Sequence, residues 1–270
     1  PPSDQPKGVG EHPHRGFETV TIAYRGAVSH RDSSGSAGTI FPGDVQWMTA
    51  ASGVVHEEMH EPEFTRQGGV FEMVQLWVNL PAAHKMSKPG YQAITSTQIP
   101  TVAIGEGATA RIIAGELAGV KGAAQTFTPV NVFDIRMPQG SSGDIALPAG
   151  HNAAIILLRG SITVNGAPVD EEARLVLLSN EGSAVQLEAA KESLLLVLTG
   201  EPLNEPVASY GPFVMNTQAE IMQALQDYRR TRFGGWPWPD DAPVHGRDPA
   251  RFARHPDGRV ERPAEAPGTN

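Results

Sequence analysis

Residues 12–60 read HPHRGFETVTIAYRGAVSHRDSSGSAGTIFPGDVQWMTAASGVVHEEMH. β-Branched and aromatic residues crowd positions 17–24 (FETVTIAY), and Arg25-Gly26 interrupts them with a turn. Residues 27–31 return as a strand, 32–38 (DSSGSAG) form a hairpin loop, and Pro42-Gly43-Asp44 is a tight turn. Strands at 45–49 and 54–60 follow, separated by a turn at 50–53. Short strands at this spacing predict an all-β antiparallel sandwich or small barrel.

Alternate residues of a strand share a face. His12 and His14 therefore aim together, as do His56 and Glu58. Two neighbouring strands carrying these pairs bring three imidazoles and one carboxylate to a single point, a donor set suited to one divalent transition metal. Glu18 has the parity of His12 and His14, so it is either an alternative ligand or a support for an imidazole N–H. His60 shares the parity of His56; it reads as a surface or loop histidine, with the pocket mouth as its alternative place. His30, His84, His151, His245 and His255 read as surface or loop histidines, Glu57 as a solvated strand-edge charge, and Trp47 and Trp77 as core, with a pocket-lining place as the alternative for one of the two.

The 270 residues suit one large domain or two of modest size, and 40% hydrophobic content provides a core. A net charge of −9 without a basic cluster argues against direct nucleic-acid contact. Cysteine is absent, so a metal falls to His and carboxylate. No apolar run spans a bilayer and no signal peptide is visible, so a soluble cytoplasmic protein is expected. The chain opens on Pro rather than Met, which implies an earlier start.

Beyond residue 60, positions 70–80 (VFEMVQLWVNL) form the longest strand candidate, with Phe71, Met73, Gln75, Trp77 and Asn79 on one face. Residues 1–11 and 81–100 read as loops, the latter crossing between two halves. Placing Arg25-Gly26 on Arg159-Gly160 sets residues 19–24 on 153–158 and 27–29 on 161–163, an internal repeat. His12 and His14 then fall on Ala146 and Pro148, and His56 and Glu58 on Val185 and Leu187, so the second copy loses every candidate ligand. Thr217 and Glu220 form a capping-box signature ahead of Ile221, Leu225 and Tyr228 at helical spacing. The expected organisation is a metal-binding barrel at 1–100, a second barrel without a metal site at 101–215, a helix at 216–235 and an extended surface tail at 236–270.

The segments HPHRGFET (12–19), PGDVQWMTA (42–50), GVVHEEMH (53–60), QLWVNLPA (75–82) and YGPFVMN (210–216) resemble the pirin family of the cupin superfamily, over roughly residues 8–235. Pirins usually carry a few dozen residues ahead of the His-Pro-His motif, where eleven stand here. The resemblance implies two tandem cupin (jelly-roll-like) barrels, the first holding one metal, usually Fe(2+), the second empty. It places the metal ligands on His12, His14, His56 and Glu58. Mn, Ni or Cu also suit such donors. It further implies oxygen-dependent cleavage of quercetin-type flavonols or related enediols, with Glu58 as catalytic base. The alternative it implies is an iron-dependent redox-sensing regulator that acts through a protein partner.

Overall fold

The computed structural model describes residues 1–241 and 251–262, and every strand predicted between residues 17 and 60 is present. The chain divides into two compact units, residues 97–204 forming one, and residues 1–96 with the segment from Glu205 onward forming the other.

The first unit is built from β1 (Gly8–His14), β2 (Phe17–Arg25), β3 (Val28–Asp32), β4 (Ala37–Ile40), β5 (Val45–Thr49), β6 (Val54–His60), β7 (Glu72–Asn79) and β8 (Gly90–Ile94). One antiparallel sheet runs β1-β6-β3-β4 and is extended by Phe252–Arg254 and Val260–Glu261; the other runs β7-β2-β5-β8. Two expectations are corrected. Residues 1–11 are not all loop, because β1 begins at Gly8 and pairs with β6. Residues 81–100 contain β8, which pairs with β5 and buries Tyr91 and Ile94. A five-residue strand following Pro89 carries little local signal, and its pairing to β5 decides its conformation.

The second unit repeats this plan. Its six-stranded sheet runs Arg174–Leu178, Asn152–Arg159, Ser193–Gly200, Val130–Met137, Thr109–Ala114, Thr101–Ala103, and its four-stranded sheet runs Ser142–Ala146, Ala184–Ala189, Ile162–Val164, Ala167–Val169. Asn152–Arg159 lies between Arg174–Leu178 and Ser193–Gly200 as β2 lies between β5 and β7. The pairing moves one part of the repeat register. His12 faces His56 across its ladder, and the matching pair in the second unit is Ile145 with Val185. The inward equivalents of His12 and His14 are thus Ile145 and Leu147, one residue before the expected Ala146 and Pro148, which are exposed. The second unit has one more residue between these strands, and a slip of one exchanges the two faces. Ile145, Leu147, Val185 and Leu187 all sit in the apolar core of that unit.

The helix spans Gln218–Thr231 with Thr217 as its N-cap and a complete capping box to Glu220. Ile221 and Ala224 bury against Phe213 and Met215. From the stretch read as a surface tail, Phe252–Arg254 joins β4 and buries Ala253, and the Trp238 indole N–H donates to the Asp32 carbonyl at 2.9 Å. Residues 242–250, which include His245, and 263–270 lie outside the described residues. Among the described residues no helix is long and apolar enough to cross a membrane.

Candidate metal centre

Because β1 and β6 pair with His12 opposite His56, these two side chains leave the ladder on one face, and His14 follows two residues on. Ring centroids lie 4.2 Å apart for His12–His56, 4.8 Å for His14–His56 and 4.9 Å for His12–His14. One ligand-capable atom from each lies within 4.8 Å of the others, the one such group of three or more metal-binding side chains among the described residues.

The nitrogens are prepared to coordinate. The His12 Nδ1 sits 2.8 Å from the Gly10 carbonyl. A carbonyl only accepts, so Nδ1 carries a proton, and in the neutral ring Nε2 keeps its lone pair. Both nitrogens of His14 and of His56 are buried and make no hydrogen bond of normal geometry. Leaving buried polar atoms unpaired costs about 1–3 kcal/mol each, so this pattern fits a bound cation. Burial, followed by the neighbouring His12, pushes the His14 pKa down to about 3 against the opposing Pro212 carbonyl. Burial and then His30, His12 and His14 hold His56 well below the ordinary imidazole value. Both rings are neutral near pH 7, the form a metal requires.

The chain after His14 is locked in place. Gly16 has φ +91, and a Cβ there would collide with the Val214 carbonyl. The buried Lys85 ammonium donates to the Gly16 and Val214 carbonyls, each at 2.8 Å, and to Asn79 Oδ1 at 2.6 Å. Arg15 pairs with Asp227 of the helix at 2.9 Å and lies over the Phe233 ring.

Glu58 enters the same barrel but is not one of the three grouped donors. Its Oε1 accepts from the Thr21 hydroxyl at 3.1 Å and the Gln46 amide at 3.4 Å, and its Oε2 from the Gln75 amide at 2.7 Å. A carboxylate offers about four lone-pair directions, so one remains for a metal or a proton.

The family model for pirin matches residues 2–78, and that for the pirin C-terminal cupin domain matches residues 132–234. The chain belongs to the pirin family. Its two units are therefore tandem cupin barrels. A Pseudomonas aeruginosa protein provisionally named a quercetin 2,3-dioxygenase is 49% identical over 234 residues, covering 86% of this chain and 82% of that protein. Pirin of Mus musculus is 39% identical over 237 residues, covering 85% and 79%. The crystal structure of a quercetin 2,3-dioxygenase from Acinetobacter baumannii superimposes with a TM-score of 0.84 at 52% identity, covering 87% of this chain and 82% of that one.

In this pirin barrel several residues stand elsewhere than their sequence pattern implied. Thr21 reaches Glu58 inside the barrel, so Glu18, three residues earlier on β2, projects from the opposite face. Glu18 accepts from the Thr49 hydroxyl at 2.7 Å, and burial raises its pKa. The turn at Arg15-Gly16 separates β1 from β2 and cancels the parity that linked Glu18 to the histidines. His60 is half-buried against Phe71, with ring centroids 4.3 Å apart, and near Phe64. His30 is fully buried beside His56, and Glu57 is a buried partner of Arg31. Trp47 is core, whereas Trp77 is 51% exposed and stands 5.4 Å from the His14 ring. Thr21 and Gln46 partner Glu58 without a local motif that marks them. Gln75 had a signal, a polar residue on the face that also carries Met73 and Trp77.

Proposed function

We propose that this pirin is a mononuclear metal-dependent dioxygenase acting on quercetin-type flavonols or related enediols, with Fe(2+) as its ion. His12, His14 and His56 would hold the metal, and Glu58 is the fourth donor. When bound, the ion supplies Lewis-acid polarisation of a substrate oxygen and a partner for O2.

The carrying observation is three converging imidazoles beside an exposed indole. Trp77 stacks on Phe17 with centroids 4.3 Å apart and offers a flat apolar surface next to His14, which suits a planar aromatic substrate. Glu58 takes the proton of the substrate's enolic hydroxyl in the direction held only by the long 3.4 Å Gln46 contact, which leaves its free direction for the metal, while Thr21 and Gln75 hold the carboxylate at its station. The names of the A. baumannii and P. aeruginosa relatives support this substrate class.

The test is oxygen uptake by the iron-loaded protein over a flavonol and enediol panel. Turnover of quercetin in air and none without oxygen is expected. Glu58→Gln that keeps its metal and full turnover overturns the role of Glu58. An iron-loaded protein inert to the whole panel overturns the enzymatic reading in favour of the redox-sensing regulator.

A further inference from the structure

His30 sits directly opposite Glu58 on the β3–β6 ladder, and Asp32 directly opposite His56, so all four side chains enter the barrel on one face. His30 and Asp32 are 0% and 1% exposed. Asp32 Oδ1 accepts from the Ser34 amide at 2.8 Å, the Ser34 hydroxyl at 2.6 Å and the Ser36 amide at 3.0 Å, which fixes the carboxylate in the hairpin. Its Oδ2 lies 3.2 Å from His30 Nε2. A carboxylate only accepts, so Nε2 carries a proton, and in the neutral ring Nδ1 is a bare acceptor. That Nδ1 is buried without a partner. The ring itself is seated flat on Tyr91, with centroids 4.9 Å apart and planes 9° from parallel. Tyr91 in turn donates to Gln46 at 3.2 Å, and a Cβ at Gly38 would collide with its hydroxyl.

Next to this fixed acceptor stands His56, its ring centroid 5.4 Å away and both its nitrogens unpaired. An imidazole that gives one nitrogen to a metal keeps an N–H on the other, and that N–H needs an acceptor. We propose that His30 is a positioning residue for the metal centre, accepting the remaining N–H of His56 at Nδ1 through one buried water. Asp32 sets the tautomer of His30, and Tyr91 sets its plane. The inference rests on the metal-centre reading and adds to it a carboxylate–imidazole relay behind His56.

The experiment is Co(II) titration of the full chain, followed by visible absorption, without substrate. His30→Phe keeps the ring on Tyr91 and removes both nitrogens. Asp32→Asn keeps the hairpin acceptor and turns an amide N–H toward Nε2, which moves the ring proton to Nδ1 and abolishes the acceptor. Both should bind Co(II) roughly 10–100-fold more weakly and alter its ligand-field spectrum, while Glu18→Gln matches wild type. If His30→Phe does not fold, Asp32→Asn decides alone. Wild-type affinity and spectrum in the variants overturn the inference and leave the metal centre standing. A wild-type chain that binds no Co(II), Ni(II) or Fe(II) overturns both.

Discussion

Arg31 and Glu57 form a buried ion pair between β3 and β6, the guanidinium donating to Glu57 Oε1 from Nε at 2.9 Å and from Nη2 at 2.6 Å. Glu57 lies between His56 and Glu58 on the opposite face of β6, so the pair anchors the ligand strand from outside the barrel. Removing one member strands the other charge in a buried setting. Glu57→Ala should cost about 3–5 kcal/mol in urea unfolding, and replacing both members with Met should recover most of it. A single-variant loss under 1 kcal/mol would show that the pair is dispensable.

Metal should stabilise the folded chain in proportion to its differential binding. At a free concentration one hundred times Kd the gain is about 2.7 kcal/mol, or roughly 5–10 °C in Tm for a chain of this size. His56→Ala should abolish the rise. Calorimetry with and without Fe(2+) under argon checks it, and an equal rise in both proteins would place the ion elsewhere.

The metal-free protein should weaken in acid. His14 has a folded pKa of about 3 against an ordinary value of 6.5, and His56 is shifted in the same direction. Between these values the unfolded chain binds more protons than the folded one, so stability falls as pH drops from about 6.5 toward 3. Each such histidine contributes up to about 1.4 kcal/mol per pH unit in that window. Urea midpoints at pH 7, 5 and 4 should decline in the apo protein, and His14→Asn should flatten the decline. A pH-independent midpoint would mean that the rings are not desolvated as the geometry implies.

Strand alternation made the three imidazoles legible because β1 and β6 are regular between His14 and His12 and between His56 and Glu58. It failed for Glu18, where two residues of turn separate the strands and parity no longer carries across. His30 and Glu57 escaped for a different reason. Their burial depends on which strand lies beside β3 and β6, and on the chain near Trp238 covering Arg31, none of which is encoded locally. The repeat was visible because turn residues and strand lengths recur, yet its register near Ala146 needed the ladder itself.

The chain after the helix should act as a clasp on β3. Arg31 donates to the Asp240 carbonyl at 2.8 Å and faces the rings of Trp236 and Trp238, while the Trp238 N–H caps the Asp32 carbonyl. Trp238→Ala removes a hydrogen bond worth about 1 kcal/mol and two cation–π contacts, to Arg31 and Arg254, worth about 0.5 kcal/mol each. The expected loss is about 2 kcal/mol, with faster hydrogen exchange at Asp32 and its neighbours. Exchange unchanged in β3 would show that the clasp bears no load there.

Glu18 provides the sharpest separation of a ligand from a bystander. Its carboxyl is 1% exposed, receives the Thr49 hydroxyl and projects from the face of β2 opposite Thr21. Burial raises its folded pKa above the ordinary carboxylate value, so the ionised form at neutral pH is a cost to the fold. The unfolded chain loses this proton first as pH rises, which makes the folded state progressively less favoured through that window. Glu18→Gln keeps the acceptor for Thr49 and removes the charge. It should unfold at equal or higher urea than wild type at pH 8, with the advantage disappearing below the ordinary carboxylate pKa. Its metal affinity should equal that of wild type, whereas Glu58→Gln should bind metal more weakly. A Glu18→Gln protein that loses metal would restore Glu18 to the coordination sphere and require β2 to turn its face.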